Sequence, residues 1–222
     1  MATQLDLQEQ EQLDELKAFW KQYGNLITWT LTLVLAAFAA WNGWQWYQRD
    51  QATKASVMHD EVEKAIAEGD VDKSGRLFND LRERYAGTAF VPQAGLALAR
   101  LQIEKSKLDE ARATLNWVAD KAGDAEYKTV ALLRLAGVHL DAKQYDEALK
   151  ALDAAKAPSF EALVADRRGD VLLAQGKKAE ALASYQTAYK GLPQTVEYRR
   201  LVEAKLTSLA APPEKPASGA QP

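Results

Sequence analysis

Hydrophobic and polar positions divide this chain into two regimes. From Gln22 to Gln48 no residue carries a charge, and the apolar heart of that stretch runs from Ile27 to Trp46. A helix rises about 1.5 Å per residue, so roughly 20 apolar residues cross the ~30 Å hydrocarbon layer of a bilayer. The heart is long enough for that. Beyond Arg49 the pattern changes. Polar and apolar residues alternate there with helical spacing nearly to the end, and no β-rich run interrupts them. Asp50–Glu68 predicts one helix stopped by Gly69, and Lys73–Tyr85 predicts a second stopped by Gly87.

The flanks of the charge-free stretch support a membrane span. Trp20, Tyr23 and Trp29 sit toward one end, and Trp41, Trp44, Trp46 and Tyr47 crowd the other. Such rings favour the headgroup level, because part of the ring system hydrogen-bonds while the rest stays apolar. A core helix rarely goes so long without a charge. A cleaved signal peptide would have a short positive leader, whereas a long, acidic one precedes this stretch. The segment reads as an anchor in membrane lipid. Ala36 and Ala40, and likewise Ala39 and Gly43, stand four apart, so this face is a candidate for lateral packing against another helix. Orientation stays open from charge alone: Lys17 and Lys21 precede the span, and Arg49, Lys54 and Lys64 follow it.

After the span the chain repeats itself. Leu108-Asp109-Glu110-Ala111 with Leu115, Tyr145-Asp146-Glu147-Ala148 with Leu152, and Lys178-Ala179-Glu180-Ala181 with Tyr185 bring back one motif at nearly even intervals. A period of roughly 34 residues signals stacked helix-turn-helix units. The last copy, with Gly169, Ala181, Tyr185, Ala188 and Pro193, resembles the tetratricopeptide spacing; Ala165 and Arg168 depart from it. Small residues at the crossing let paired helices approach, and the large one fills the gap to the next unit. Three repeats and two preceding helices are expected. The fold predicted is all-α: a single N-terminal transmembrane helix followed by a tetratricopeptide-like helical-repeat solenoid. Its divisions are an acidic leader 1–21, a transmembrane helix 22–48, a repeat domain 49–209 and a disordered Pro/Ala tail 210–222.

Charge and chemistry narrow the function. The net charge is −3, and residues 1–21 already carry five acids against two lysines, leaving the rest of the chain balanced. No basic face is present for nucleic acid. The absence of cysteine removes disulfides, thiolate nucleophiles and Cys-type zinc sites together. His59 and His139 are the two histidines, and neither has a partner at metal-ligand spacing. No Gly-rich phosphate loop occurs, and Asp109/Glu110 and Asp146/Glu147 recur as solvated helix starts. No catalytic residue, metal, cofactor or small-molecule substrate is expected. The chemistry available is a concave protein-binding groove, whose candidate lining is Leu96, Arg100, Ile103, Leu133, Leu140, Asp170 and Leu173, suited to a polypeptide with apolar side chains.

The layout as a whole carries a further likeness. An acidic leader with Leu13, Lys17 and Trp20, one span ending Trp41-Asn42-Gly43-Trp44, and degenerate repeats through Pro193 resemble the YfgM-type ancillary subunits of the bacterial SecYEG translocon over about residues 1–208. The resemblance implies a cytoplasmic N-terminus and periplasmic repeats in the bacterial inner membrane. It implies association with SecYEG and with a PpiD-like periplasmic chaperone, and a role assisting exported polypeptides as they emerge. The competing expectation is an envelope scaffold or assembly factor for another membrane complex, or a restraint on a stress-response regulator acting through residues 1–21.

Overall fold

The structure is a computed structural model that describes residues 7–209. Residues 1–6 of the leader and the Pro/Ala segment 210–222 lie outside the described residues, and so does the expectation of a disordered tail. Helices are α1 (Leu7–Ala67), α2 (Val71–Tyr85), α3 (Phe90–Glu104), α4 (Leu108–Lys121), α5 (Ala125–Asp141), α6 (Tyr145–Ala154), α7 (Glu161–Ala174), α8 (Lys178–Gly191) and α9 (Tyr198–Ser208). A 3-10 turn, Pro158–Phe160, precedes α7, and no strand occurs among the described residues. The helix expected from Asp50 is therefore the last stretch of α1. Contacts divide the chain into two units, Met1–Gln51 and Ala52–Pro222.

The first unit is helical from Leu7 on and turns its apolar side chains outward. An 18-residue window reaches a mean hydropathy of 1.4 with only 6% of it buried, which makes α1 long and apolar enough to cross a membrane. Every polar side chain in the middle of such a helix needs a partner, because lipid offers none. The helix supplies them itself. The hydroxyls of Thr28, Thr30 and Thr32 donate to the carbonyls of Gly24, Leu26 and Thr28 at 2.7, 2.8 and 2.8 Å. Asn42 donates to the Phe38 carbonyl at 2.8 Å. Ala36, Ala39, Ala40 and Gly43 are exposed, and a Cβ added at Gly43 would meet nothing within 4 Å.

The second unit is built on one recurring turn. Gly69, Ser106, Lys143 and Gly176 all have left-handed backbone, with φ of +73°, +60°, +60° and +80°, and they recur at the same interval as the repeat motif. After each of the three later turns the following amide reaches back beyond the normal helical bond: Lys107 to Gln102, Gln144 to His139 and Lys177 to Leu172, at 2.7, 2.8 and 2.9 Å. At the first turn Asp70 reaches the Ala65 carbonyl at 3.2 Å. These bonds close helix ends that would otherwise leave bare carbonyls, a role for which a left-handed residue is required.

The same register runs through the core. Val62, Ala99, Ala136 and Gly169 are buried at one level, Ser74, Ala111, Ala148 and Ala181 at the next, and Phe78, Leu115, Leu152 and Tyr185 at the third. The end of α1 with α2 is thus a fourth copy of the repeat, ahead of α3/α4, α5/α6 and α7/α8. Its sequence hides the fact, because Val62 and Ser74 stand where later copies carry alanine or glycine. Ala55, Val62, Phe78, Leu81, Val91, Ala94 and Leu98 form its hydrophobic cluster. Trp117 meets Phe78 edge-on at 5.6 Å, and Arg82 covers both rings at 5.7 and 5.5 Å. Two glycines mark close crossings. A Cβ on Gly169 would lie 2.5 Å from the Tyr185 ring, and one on Gly95 would lie 2.6 Å from Val118.

Candidate partner-binding clefts

An apolar cleft of about 550 Å³ opens where α5, α7 and the segment leading into α9 meet. Its walls are mainly Leu133, Ala162, Leu163, Leu192, Pro193 and Val196, with Ser159, Arg167 and Tyr198 as polar members. Periodicity explains the α5 and α7 walls: Leu133 and Leu163 stand one helical step off the buried face and are half exposed. Leu192 is buried just past the end of α8, and Pro193 and Val196 carry the chain from it to α9.

What fixes α9 there is polar. Asp166, 1% exposed, accepts from Lys205 Nζ at 2.9 and 2.8 Å and from the Tyr198 hydroxyl at 2.6 Å. The same Lys205 reaches Asp170 at 2.7 Å, and the Tyr185 hydroxyl donates to Asp170 at 2.9 Å. Arg167 stands 3.6 Å from Asp170. A carboxylate buried as deeply as Asp166 needs both of its donors, Lys205 and Tyr198, since desolvation of a lone charge is severe. Burial, then the hydrogen bond to a carboxylate, pushes both phenols above the usual tyrosine range: Tyr185 beside Asp170 and Tyr198 beside Asp166. Val202 and Leu206 complete the attachment from the apolar side of α9.

A second cleft, about 700 Å³, crosses α4, α5 and α6. Its lining is mixed: Arg112, Asn116, Asp120, Glu147 and Lys150 stand beside Leu132, Leu135 and Ala151. His139 Nδ1 lies 2.8 Å from Gln144 Oε1, which also accepts from Arg112 at 3.3 Å. Arg112 further bonds Asp109 one turn away.

Of the seven residues expected to line a groove, the structure brings Leu133 to the apolar cleft. Leu96 is 8% exposed within the core, and its carbonyl accepts from Arg134 at 2.7 Å. Burial, then nearby Arg100, lowers Arg134 below the usual arginine value. Arg100 is exposed and stands 3.5 Å from Glu104. Ile103 and Leu140 are half-buried against the central core cluster, and Leu173 against the C-terminal one. Asp170 belongs to the Lys205 network. Leu163, Leu192, Val196 and Tyr198, which sequence reasoning passed over, line the cleft beside Leu133. Arg168, a departure from the repeat pattern, pairs with Asp153 at 2.6 Å and so links α7 to the end of α6. No cluster of metal-ligating side chains occurs among the described residues.

These features define a class. The family model of a tetratricopeptide repeat-like domain matches residues 17–211, which takes in the span as well as the repeats. Among solved structures, MamA from Desulfovibrio magneticus RS-1, residues 41 to the end, shares this fold with a TM-score of 0.50 at 16% identity, covering 71% of this chain and 89% of that one. A MamA RS-1 double mutant gives a TM-score of 0.51, covering 70% and 84%. Curated relatives narrow the class. The ancillary SecYEG translocon subunit of Neisseria gonorrhoeae is 33% identical over 207 residues, covering 91% of this chain and 98% of that protein. The protein of the same name in Escherichia coli K12 is 30% identical over 205 residues, covering 91% and 97%. This chain belongs to the family of ancillary SecYEG translocon subunits.

Proposed function

We propose that the chain is a single-pass inner-membrane scaffold that works beside the Sec translocon and binds polypeptide, with no catalytic step of its own. The leader 1–21 faces the cytoplasm and the repeat domain 49–209 the periplasm, where its apolar cleft takes a segment of an exported chain or of a PpiD-like chaperone. The observation that carries the reading is one chain uniting a helix apolar enough to span a membrane with an apolar cleft on a repeat domain. The names of its relatives, ancillary SecYEG translocon subunits, support a place beside the translocon.

The energetics suit transient holding. One leucine-sized side chain buried in such a cleft gives about 1.5–3 kcal/mol, so two or three give at most ~9 kcal/mol before association entropy is subtracted. Free in solution that is weak binding. Tethered at a membrane channel, the cleft meets emerging chain at a raised local concentration, and weak, fast-releasing contacts suffice.

Photo-crosslinking residues at Val196 in the cleft and at Ala39 in the span, irradiated in native membranes, test the proposal. Translocon subunits at Ala39 and exported chains or a periplasmic chaperone at Val196 are the expected adducts. Adducts confined to an unrelated membrane complex would move the function to an envelope assembly factor. The chain has no cysteine. Gln194→Cys, labelled in intact spheroplasts by a membrane-impermeant maleimide, therefore tests the orientation, and protection from the reagent would reverse it.

A further inference from the structure

Arg134, half-buried on α5, is a charge without a counter-charge. Its guanidinium donates to the Leu96 carbonyl of α3 at 2.7 Å, and no carboxylate pairs with it among the described residues. Burial, and after it the like charge of Arg100, works against the charged form. A guanidinium carries five N–H donors in a planar fork, so one carbonyl leaves most of them open to a further acceptor. The acids of α3, α5 and α7 are engaged or lie toward helix ends. Glu104 stands 3.5 Å from Arg100. Asp166 and Asp170 share Lys205, and each takes a tyrosine hydroxyl. Glu126 accepts from Ser159 at 3.1 Å. Asp141 ends α5, about 10 Å along the helix from Arg134, and Glu161 starts α7.

The position of Arg134 connects it to the apolar cleft. Helix α5 packs against both α3 and α7. Leu133 and Arg134 are consecutive, about 100° apart around the helix. Leu133 lines the cleft with Leu163 of α7, while Arg134 leans to Leu96 of α3. Gly137 falls between the two on the same face, about 40° from Leu133 and 60° from Arg134. A Cβ placed there would meet nothing within 4 Å, so the crest of α5 is open at that point. Arg167 repeats the position one helix on: the two arginines stand two residues before the buried Ala136 and Gly169. Arg167 lines the cleft, its charge partly offset by Asp170 at 3.6 Å. A chain crossing α5 with an apolar side chain in the cleft therefore runs between two arginines. An acidic side chain on it would compensate Arg134 and offset the repulsion from Arg100, with charge-assisted hydrogen bonds in a half-buried site. A basic one would add to the repulsion.

We propose that the cleft selects polypeptide segments in which an acidic residue accompanies an apolar one, the acid seated on Arg134 and the apolar side chain against Leu133 and Leu163. This rests on the reading of the cleft as a polypeptide site and specifies the class of segment it takes.

The test is the binding of short fluorescent peptides to the full-length chain in detergent, read by anisotropy. The peptides share one leucine-containing sequence and differ at a single position, which holds glutamate, glutamine or lysine. The glutamate peptide should bind about tenfold tighter than the glutamine one, and the lysine peptide most weakly. Arg134→Gln should bring the glutamate and glutamine affinities together. The glutamine peptide should keep its own affinity, which also shows that the variant is folded. Arg134→Lys, which keeps the charge without the fork, should retain part of the preference and guards against a glutamine variant that does not fold. Val196→Ser, in the cleft wall, should weaken all three peptides alike and keep their ratio. Equal affinities for the parent chain, or a glutamate preference that survives Arg134→Gln, would overturn the proposal and leave the cleft as a polypeptide site. No binding by any of the three would overturn that reading as well.

Discussion

The two units solve the same problem in opposite ways. Up to Gln51 the helix wears its apolar side chains outside and satisfies its polar ones locally, each threonine hydroxyl in the span bonding a carbonyl one turn back. From Ala52 the apolar side chains turn inward, and polar groups find partners far along the chain. The Thr129 hydroxyl accepts from the amide of Ala157, Arg134 donates to the carbonyl of Leu96, and Lys205 bonds Asp166 across 39 residues. Both units are α-helix. Their solvents differ: lipid supplies no hydrogen bonds, so a hydroxyl there must find its partner in protein, and here it does so within its own helix. Water supplies them everywhere except the core, so in the repeats only buried groups need distant partners.

That contrast is open to attack at its strongest point first. Lys205→Met strips Asp166 and Asp170 of their shared cation and leaves the Tyr198 hydroxyl as a poor substitute, at a cost of about 3–5 kcal/mol. The unfolding transition of the full-length chain in detergent should shift accordingly, and protease digestion should release α9 first. The network also sets an alkaline limit. Tyr185 and Tyr198 hold their protons more tightly folded than unfolded, so their contribution is whole below the unfolded tyrosine pKa of about 10 and is lost as pH rises beyond it. Melting temperature should fall above that pH, and Tyr198→Phe should flatten the fall.

Gly169→Ala comes next. Its added Cβ meets the Tyr185 ring at 2.5 Å, and overpacking of this kind costs roughly 1–3 kcal/mol. Ala111, Ala148 and Ala181, buried at equivalent crossings, should respond to leucine in the same range; unchanged melting in all three would refute the repeat register. A matched pair of threonines then sharpens the comparison. Thr129→Val orphans the Ala157 amide in a buried site and should cost about 1–3 kcal/mol. Thr30→Val removes a hydroxyl bonded only within its own helix, and membrane insertion and yield should stay within about 0.5 kcal/mol of the parent. Equal effects at the two sites would break the comparison. Smallest is a gain: Ser106→Gly relieves a left-handed residue at φ +60° and should stabilise by ~1 kcal/mol, read as a rise in the same melting transition.

The anchor and three of the repeats were legible in the sequence because each is written in local periodicity. An apolar run between aromatic flanks, and the evenly recurring Ala111, Ala148 and Ala181, state a helix and a stack without reference to anything distant. The fourth copy escaped because periodicity constrains size only loosely: Ser74 and Val62 fit positions that elsewhere hold alanine or glycine, and its first helix is fused to the anchor. The positive φ at Ser106 and Lys143 escaped for a related reason, since neither residue type announces a left-handed turn as Gly69 and Gly176 do.

The apolar cleft is where tertiary structure decided. Helical spacing put Leu133 and Leu96 together in one candidate groove lining, on the first helices of their repeats. It could not show that Leu96 would be sealed against its neighbours while Leu133 stayed at a mouth formed with Val196 and Tyr198. Nor does any local pattern pair Asp166 with Lys205, because an ion pair across 39 residues leaves no period to read. The sequence by itself determined which faces must be hidden, since hydrophobicity belongs to each residue. Which of those faces remain partly open, and which charges are buried to hold them so, was decided only when the helices packed, because burial belongs to the neighbours.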